Sequence, residues 1–222
     1  MHDLTPRWPK WVLGGLVATL LLPLLATFLY SSSTRWGATL LPDGFTLDWY
    51  LKLWGDPRFL AAFGRSLLVC FATLLLGTLV LVPTVLVVAY YFPKLDPWMN
   101  LLILLPFAVP PVVSSVGLLQ IYADGPLPII GTPWILIGTW FTVVLPFMYR
   151  ALANSLQGVP LRDLMDAAHL LGASSRRAFL LVVIPCLRKG LLAALFLSLS
   201  FLLGEFVFAN MLVGTRYETL QV

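Results

Sequence analysis

Long apolar runs with almost no charge dominate this sequence, and they limit its possible folds more than any other feature. The first runs from Trp11 to Tyr30 and the second from about Ser66 to Tyr91. Roughly 20 apolar residues in a helix match the hydrocarbon core of a bilayer. Charged residues make up 11% of the chain, about half the share of about 25% typical of soluble domains. The sequence therefore predicts an all-α, polytopic membrane protein and argues against a soluble protein with an oversized core.

Five membrane spans are predicted, at about 11–30, 66–91, 98–122, 134–152 and 190–213. The first is longer than the 7–15-residue apolar core of a signal peptide, so it is predicted to be retained. Pro83 in the second span predicts a kink, and so do Pro106, Pro110 and Pro111 in the third, where they would shape a cavity. The fourth span is short for a bilayer and is expected to extend at either end. Residues 1–222 are predicted to form a single transmembrane domain.

The positions of the basic residues predict the orientation, because lysines and arginines are enriched in cytoplasmic loops. With the N-terminus inside, nine fall on the cytoplasmic side, namely Arg7, Lys10, Lys94, Arg150, Arg162, Arg176, Arg177, Arg188 and Lys189. Five fall outside, namely Arg35, Lys52, Arg58, Arg65 and Arg216. This distribution predicts a cytoplasmic N-terminus and places the loop Asn154–Pro185 on the cytoplasmic side.

The polar segment Asn154–Pro185 has the pattern of a helical projection. Gly158 suits the end of one helix and Pro160 the first turn of the next. The apolar residues that follow recur every third or fourth position and predict one helical face, made of Leu161, Leu164, Met165, Ala168 and Leu171. Gly172 is predicted to end this helix and Ser174 to cap a second one. Helical spacing alone leaves open what the helix contacts, because amphipathic helices also lie on bilayer surfaces.

A spaced motif in this segment resembles the signature loop of ABC importer permeases. It consists of Asp166-Ala167-Ala168, three residues, Gly172, nine residues, and Val182-Val183-Ile184-Pro185. The family pattern is Glu-Ala-Ala, three residues, Gly, nine residues, and an apolar pair ending in Leu-Pro. The spacing is complete. Asp166 keeps the charge of the usual Glu with one methylene less, and Ile184 replaces Leu at nearly equal volume.

The resemblance covers nearly the whole chain and points to the spermidine/putrescine-like group, with 2-aminoethylphosphonate-type permeases as a further match. Beyond the loop it is carried by Ser31 to Arg35, Gly44-Phe45-Thr46 with Trp49-Tyr50, Arg65-Ser66-Leu67, and Gly214–Leu220 (GTRYETL). It implies the type I ABC importer permease fold, in which these permeases normally have six spans. Because the last of these segments matches the outer loop before the sixth span, we expect five of six spans and a truncated chain.

The resemblance also implies partners and an ATPase-coupling role for the loop. It implies a dimer of ATP-binding subunits, a second permease subunit and a periplasmic or lipid-anchored solute-binding protein, at the bacterial inner membrane. The coupling residues it implies are Asp166, Ala167, Ala168, Gly172, Ile184 and Pro185. The sequence has no G-x-x-x-x-G-K-[ST] phosphate loop, so we expect ATP and magnesium in the partner ATPase and no cofactor on this chain. Membrane lipid is expected as a partner, and nucleic acid is not.

Three polar residues inside the predicted spans are candidates for the solute pathway: Glu205, Asn210 and Gln120. An ionisable side chain at membrane depth is a functional candidate. Structural pairing, for instance with a partner permease, explains Glu205 equally well. If Glu205 faces the pathway, its carboxylate favours a cationic or amine-bearing solute, such as a polyamine or an aminophosphonate, because a buried charge needs compensation. Gln in a span more often makes interhelical hydrogen bonds.

Two other classes of function remain as alternatives. A secondary transporter or channel not coupled to ATP would usually show internal repeats or several intramembrane charges, and neither is seen in this sequence. A membrane enzyme would need clustered His, Asp or Glu residues, yet the two histidines, His2 and His169, lie far apart. We therefore predict a non-enzymatic permease subunit. It would form the translocation pathway and couple ATP hydrolysis by its partner to uptake of a small polar, amine-bearing solute.

Overall fold

The computed structural model describes residues 8–37, 42–123 and 125–222. The chain forms two compact units, Met1–Leu60 and Ala61–Val222. Two residues used in the sequence argument, His2 and Arg7, lie outside the described residues. The single domain over 1–222 stays a prediction, and the units are described separately below.

The first unit contains helix α1 (Trp8–Ser31), helix α2 (Asp48–Trp54) and the first turn of helix α3 (Pro57–Tyr91). The apolar stretch of α1 has no buried residue, as expected for a helix that lipid surrounds. The segment after α1 turns back on itself, because Thr46 N–H donates to Ser32 O at 2.8 Å. The Trp49 indole N–H donates to Ser33 O at 2.9 Å. These bonds attach α2 to the end of α1.

The second unit contains the rest of α3 and seven further α-helices among its described residues. These are α4 (Asp96–Ala108), α5 (Pro111–Tyr122), α6 (Pro133–Gln157), α7 (Leu161–Leu170), α8 (Ser175–Ala178), α9 (Ile184–Cys186) and α10 (Arg188–Leu203). Two π-helical segments, Phe179–Val183 and Ala209–Val213, follow α8 and α10. Short 3₁₀ turns lie at Pro93–Leu95 and Gly214–Tyr217. The chain is therefore almost entirely helical wherever it is described, which confirms the predicted fold class.

Three of the described helices, α1, α3 and α6, are each long and apolar enough to cross a membrane, and two bent helix pairs raise the number to five. The first span agrees with its prediction. Helix α3 begins at Pro57, nine residues before the predicted start at 66. Helix α6 runs to Gln157 instead of 152, so the short fourth span is extended, and the first residues of the Asn154–Pro185 segment belong to it.

The third span is broken where the prolines predicted a kink. Helices α4 and α5 meet at 85°. Pro110 disfavours the helical conformation for the residue before it, and Val109 is accordingly extended, with φ −105° and ψ 125°. Pro111 starts α5 in the first helical position, where a missing N–H costs nothing. The predicted single helix over 98–122 is thus two helices.

The fifth span is also broken, which the sequence analysis did not anticipate. Helix α10 ends at Leu203, Gly204 and Glu205 are not helical, and helical structure resumes at Val207. At its other end α10 makes a 70° angle with the preceding Ser175–Cys186 segment. The region predicted as one span over 190–213 therefore consists of two helical parts with a break between them. At the break, the Glu205 side chain accepts the backbone N–H groups of Phe208 and Ala209.

Helix α6 forms the centre of the second unit. Three of its large side chains, Trp140, Met148 and Tyr149, are fully buried. Helix α10 lies along one side of α6, and α4 contacts it from another. Tyr149 donates a hydrogen bond to Asp96 Oδ1 at 2.7 Å and so joins α6 to the first turn of α4. The two broken spans are thus both packed on one continuous helix.

Candidate functional sites: the 154–185 loop and the Glu205 cavity

The first candidate site is α7 with the turn that follows it. Gly172 has φ +81°, a left-handed conformation that side chains with a Cβ disfavour. Gly172 N–H donates to His169 O at 2.9 Å, and Ala173 N–H donates to Ala168 O at 3.0 Å. This pair of bonds is a Schellman motif, which satisfies the last carbonyls of a helix. The predicted glycine corner is present, and backbone geometry accounts for it.

The two faces of α7 have different surroundings. Met165 is fully buried and Ala168 is 7% exposed, and this face packs on α8 and the Phe179–Val183 segment of the same chain. Leu170 and Leu171 are both 89% exposed. The apolar face Leu161–Leu171 is therefore divided between two surroundings. Met165 and Ala168 pack the helix against the rest of the chain, whereas Leu170 and Leu171 at its end are exposed.

The remaining motif residues are spread along the loop. Asp166 and Ala167 are exposed on α7. Ile184 is half-buried and Pro185 exposed, both in α9, where they begin the last turn before α10. Ser174 lies at the N-cap position of α8, yet its side chain makes no capping hydrogen bond, so the predicted capping role of its hydroxyl is wrong. Three exposed residues of the motif, Asp166, Ala167 and Gly172, thus lie on α7 and the turn that follows it.

The second candidate site is a cavity of about 200 Å³ beside Glu205. Three polar side chains besides Glu205 line it, namely Ser114, Thr139 and Thr142. Aromatic rings from both broken spans and prolines from the third also line it, namely Phe107, Phe201, Phe208, Pro106 and Pro111. The prolines of the third span do shape a cavity, as expected. Helices α4, α5, α6 and α10 all contribute, so both breaks in the membrane region open onto one space.

The carboxylate of Glu205 is engaged by three donors of its own chain. Its Oε1 accepts the Phe208 N–H at 2.9 Å, and its Oε2 accepts the Ala209 N–H at 3.3 Å. The indole N–H of Trp140 donates to Oε2 at 2.9 Å. Glu205 is 8% exposed and Trp140 is fully buried. Compensation of the buried charge therefore comes from N–H dipoles within the chain.

The other two pathway candidates lie elsewhere. Gln120 on α5 and Asn210 after α10 are both exposed, and neither lines the Glu205 cavity. Sequence reasoning missed Trp140 altogether. A tryptophan inside an apolar span gives no sign of its partner, and this partner is 65 residues away. Of the three candidates, the structure places Glu205 alone in the cavity.

A third cluster joins two of the sequence segments that carried the family resemblance, Arg65-Ser66-Leu67 and Gly214–Leu220. Arg65 Nε–H donates to Glu218 O at 2.6 Å, and Leu220 N–H donates to Ser66 Oγ at 2.7 Å. Burial raises the pKa of the Tyr217 phenol, and the nearby Arg65 guanidinium lowers it in part. The chain's C-terminal segment is thereby fixed to α3.

Among the described residues, no group of three or more His, Cys, Asp or Glu side chains is placed to hold a metal ion.

Comparison with known proteins agrees with these features. Residues 82–221 match the family model described as "Binding-protein-dependent transport system inner membrane component". The chain is 31% identical to the putative 2-aminoethylphosphonate transport system permease protein PhnV of Salmonella choleraesuis, over 98% of this chain and 84% of the relative. It is 27% identical to the spermidine/putrescine transport system permease protein PotB of Escherichia coli, over 92% of this chain and 79% of that relative.

Proposed function

Because the chain belongs to the family of binding-protein-dependent transport system inner membrane components, we propose that it forms the translocation pathway of an ABC importer and couples uptake to ATP hydrolysis by a partner subunit. The chain is a multi-pass membrane protein of the permease type.

The observation that carries the coupling role is the exposed tip of α7. Leu170 and Leu171 are each 89% exposed at the end of a helix whose other face is anchored by Met165. Exposed leucines at the end of a projecting helix suit a hydrophobic groove, as in helix-in-groove recognition. The carboxylate of Asp166, which makes no hydrogen bond or ion pair within the described residues, would guide the docking orientation.

The packing of α7 suggests how a movement of the ATPase would reach the membrane. Helix α7 contacts α8 and the Phe179–Val183 segment, which leads through α9 into α10. A closing ATPase dimer that pulls on α7 would therefore displace the start of the fifth span. Rigid helices transmit such shifts and convert them into opening or closing of a site.

The solute proposed is small, polar and amine-bearing, either an aminophosphonate or a polyamine. The names of the two relatives support this choice. The carboxylate of Glu205 supports it less than the sequence suggested, because three N–H donors of the chain already engage it. Specificity would then be set mainly by the solute-binding protein.

The rest of the assembly follows the family. We propose a second permease subunit, two ATP-binding subunits that hold ATP and magnesium, and a periplasmic or lipid-anchored solute-binding protein. The chain would lie in the bacterial inner membrane with its N-terminus in the cytoplasm, which the distribution of lysines and arginines supports. It would itself catalyse no reaction.

The test is uptake of labelled 2-aminoethylphosphonate and putrescine into vesicles that contain the assembled complex. Uptake that needs ATP inside the vesicle and the binding protein outside supports the proposal. The double variant Leu170→Asp, Leu171→Asp should lose both the co-purifying ATPase and uptake. Leu127→Asp serves as the matched control, because Leu127 is an exposed leucine outside the loop. Uptake by the permease without ATP would instead show a secondary transporter or channel.

A further inference from the structure

The break after α10 leaves two helix ends inside the region 190–213, which the sequence predicts as a membrane span. A helix end exposes carbonyl or N–H groups without intrahelical partners, and no water in the bilayer core replaces them. At this break both ends have side-chain partners. Glu205 bonds the exposed N–H groups, and Gln221 of the C-terminal segment bonds the exposed carbonyl groups.

Gln221 covers the carbonyl end of α10. Its Nε2 donates to Leu203 O at 2.9 Å and to Leu202 O at 3.3 Å. Its side-chain oxygen accepts a hydrogen bond from Ser66 Oγ at 3.3 Å. The amide group therefore links the end of α10 to α3 and uses both its donor and its acceptor.

Glu205 covers the N–H end of the next helical segment. Its carboxylate accepts from the Phe208 and Ala209 amides, the position and residue type that suit the positive end of a helix. Trp140 on α6 donates to the same carboxylate and fixes its orientation. Each cap thus has a second bond to a neighbouring helix, Gln221 to α3 and Glu205 to α6.

We propose that Gly204–Glu205 is the hinge of the fifth span, with Glu205 and Gln221 as its two caps and Trp140 as the residue that positions Glu205. The proposal rests on the proposed transport function. Hinges are a few residues at element ends that absorb the change in backbone angles. Side-chain caps suit a hinge because they can exchange while the helical hydrogen bonds on either side stay intact.

Three features favour a moving joint over a fixed bend. A displacement of α7 would pass through the segments it contacts to the start of α10, and the far end of α10 would have to absorb it. A cavity of about 200 Å³ lies against the break and gives the rings of Phe201 and Phe208 room to shift. The next segment is π-helical, a geometry frequent at functional sites. Glu205 would then serve movement of the span and not binding of the solute.

Three conservative variants separate the hinge from a solute-binding role. Glu205→Gln replaces an acceptor by a donor that opposes Trp140, and Gln221→Glu removes the donor that covers Leu203. Trp140→Phe removes the indole N–H. Trp134→Phe is the matched control, because Trp134 lies on the same helix with 68% of its surface exposed.

The first measurement is hydrogen–deuterium exchange of residues 204–213 in the permease in lipid nanodiscs, which needs neither solute nor ATPase. We expect Glu205→Gln and Trp140→Phe to speed exchange of the Phe208 and Ala209 amides by about tenfold, the effect of losing one or two hydrogen bonds. Trp134→Phe should match the wild type. Unchanged exchange in all variants overturns the assignment of the caps, whether or not the protein transports.

The second measurement compares uptake with ATP hydrolysis in the assembled complex. A hinge predicts that all three variants lower the maximal rate of uptake about tenfold, leave the half-saturating solute concentration unchanged, and still hydrolyse ATP. If Glu205 binds the solute, Glu205→Gln raises the half-saturating concentration or alters the preference for amines while Trp140→Phe does not, and the hinge is rejected. A wild-type complex without ATP-dependent uptake would reject the proposed function and leave the exchange result to decide on the caps.

Discussion

Gly190 of α10 lies against Ser155 of α6 with no space between them for a side chain on the glycine. A Cβ placed on Gly190 would overlap Cβ and Oγ of Ser155. Small residues at such a crossing let two helix backbones approach closely within a membrane. The crossing lies just after the Asn154–Pro185 loop, at the start of α10. It therefore sets the position of α10 on the central helix α6.

Gly190→Ala is therefore expected to force α10 away from α6. Overpacking of this kind typically costs about 1–3 kcal/mol, and thermal unfolding of the purified permease in detergent would measure it. Ser155→Gly in the same chain should restore part of the stability, because it removes the atoms that collide. Gly138→Ala is the control, since nothing lies within 4 Å of a Cβ there. An equal loss at Gly138 would contradict the close contact.

Gly172→Ala should impair coupling through the backbone alone. Nothing lies within 4 Å of a Cβ at Gly172, so the cost arises from the left-handed conformation, about 1–2 kcal/mol. Gly172→Asn should be milder because asparagine tolerates this region. We expect ATP-dependent uptake to rank wild type, Asn, then Ala. Gly117→Ala, at an open helical position, should leave uptake unchanged. If Gly172→Asn lowers uptake as much as Gly172→Ala, contact with a partner explains why a glycine is needed here, and backbone conformation does not.

The features set by local chemistry were predictable from the sequence, and those set by distant partners were not. The α7 stripe, the Gly172 turn and the bend at Pro110 all follow from residues within a few positions of each other. The break at Gly204 has hydrogen-bond partners in Trp140 and Gln221, which no spacing rule connects to this position. Apolar residues in a membrane protein also face either lipid or the protein core, so hydrophobicity could not show that Ala168 is buried by its own chain.

Tyr149→Phe should destabilise the junction of α6 and α4. The lost bond joins a fully buried hydroxyl to Asp96 Oδ1 at 2.7 Å. Hydrogen bonds to charged groups contribute about 1.5–3 kcal/mol, and we expect the lower end because Asp96 is partly exposed. Thermal unfolding in nanodiscs would measure the change. Tyr122→Phe is the control, since no hydrogen bond of the Tyr122 hydroxyl is found in the described part of the chain. Similar losses in both variants would show that Asp96 is not the relevant partner.

Ser66→Ala should release the C-terminal segment from α3. Ser66 is fully buried, and its Oγ accepts the Leu220 N–H and donates to Gln221 Oε1. Loss of the hydroxyl leaves the Leu220 N–H without its partner, at a cost of about 1–3 kcal/mol. We expect this to destabilise the attachment of the short segment after α10 and to change the stability of the whole chain little.

Local release can be read from tryptic cleavage after Arg216, an exposed site within that segment. We expect cleavage to be about tenfold faster in Ser66→Ala, because proteolysis follows the population of the locally opened form. The global unfolding temperature should change little. Ser200→Ala, an exposed serine on α10, controls for loss of a hydroxyl. If the release also uncovers the end of α10, residues 200–204 will exchange faster in Ser66→Ala, because Gln221 can then no longer hold the Leu202 and Leu203 carbonyls. Faster cleavage without that exchange would separate the anchoring of the segment from the capping of the break.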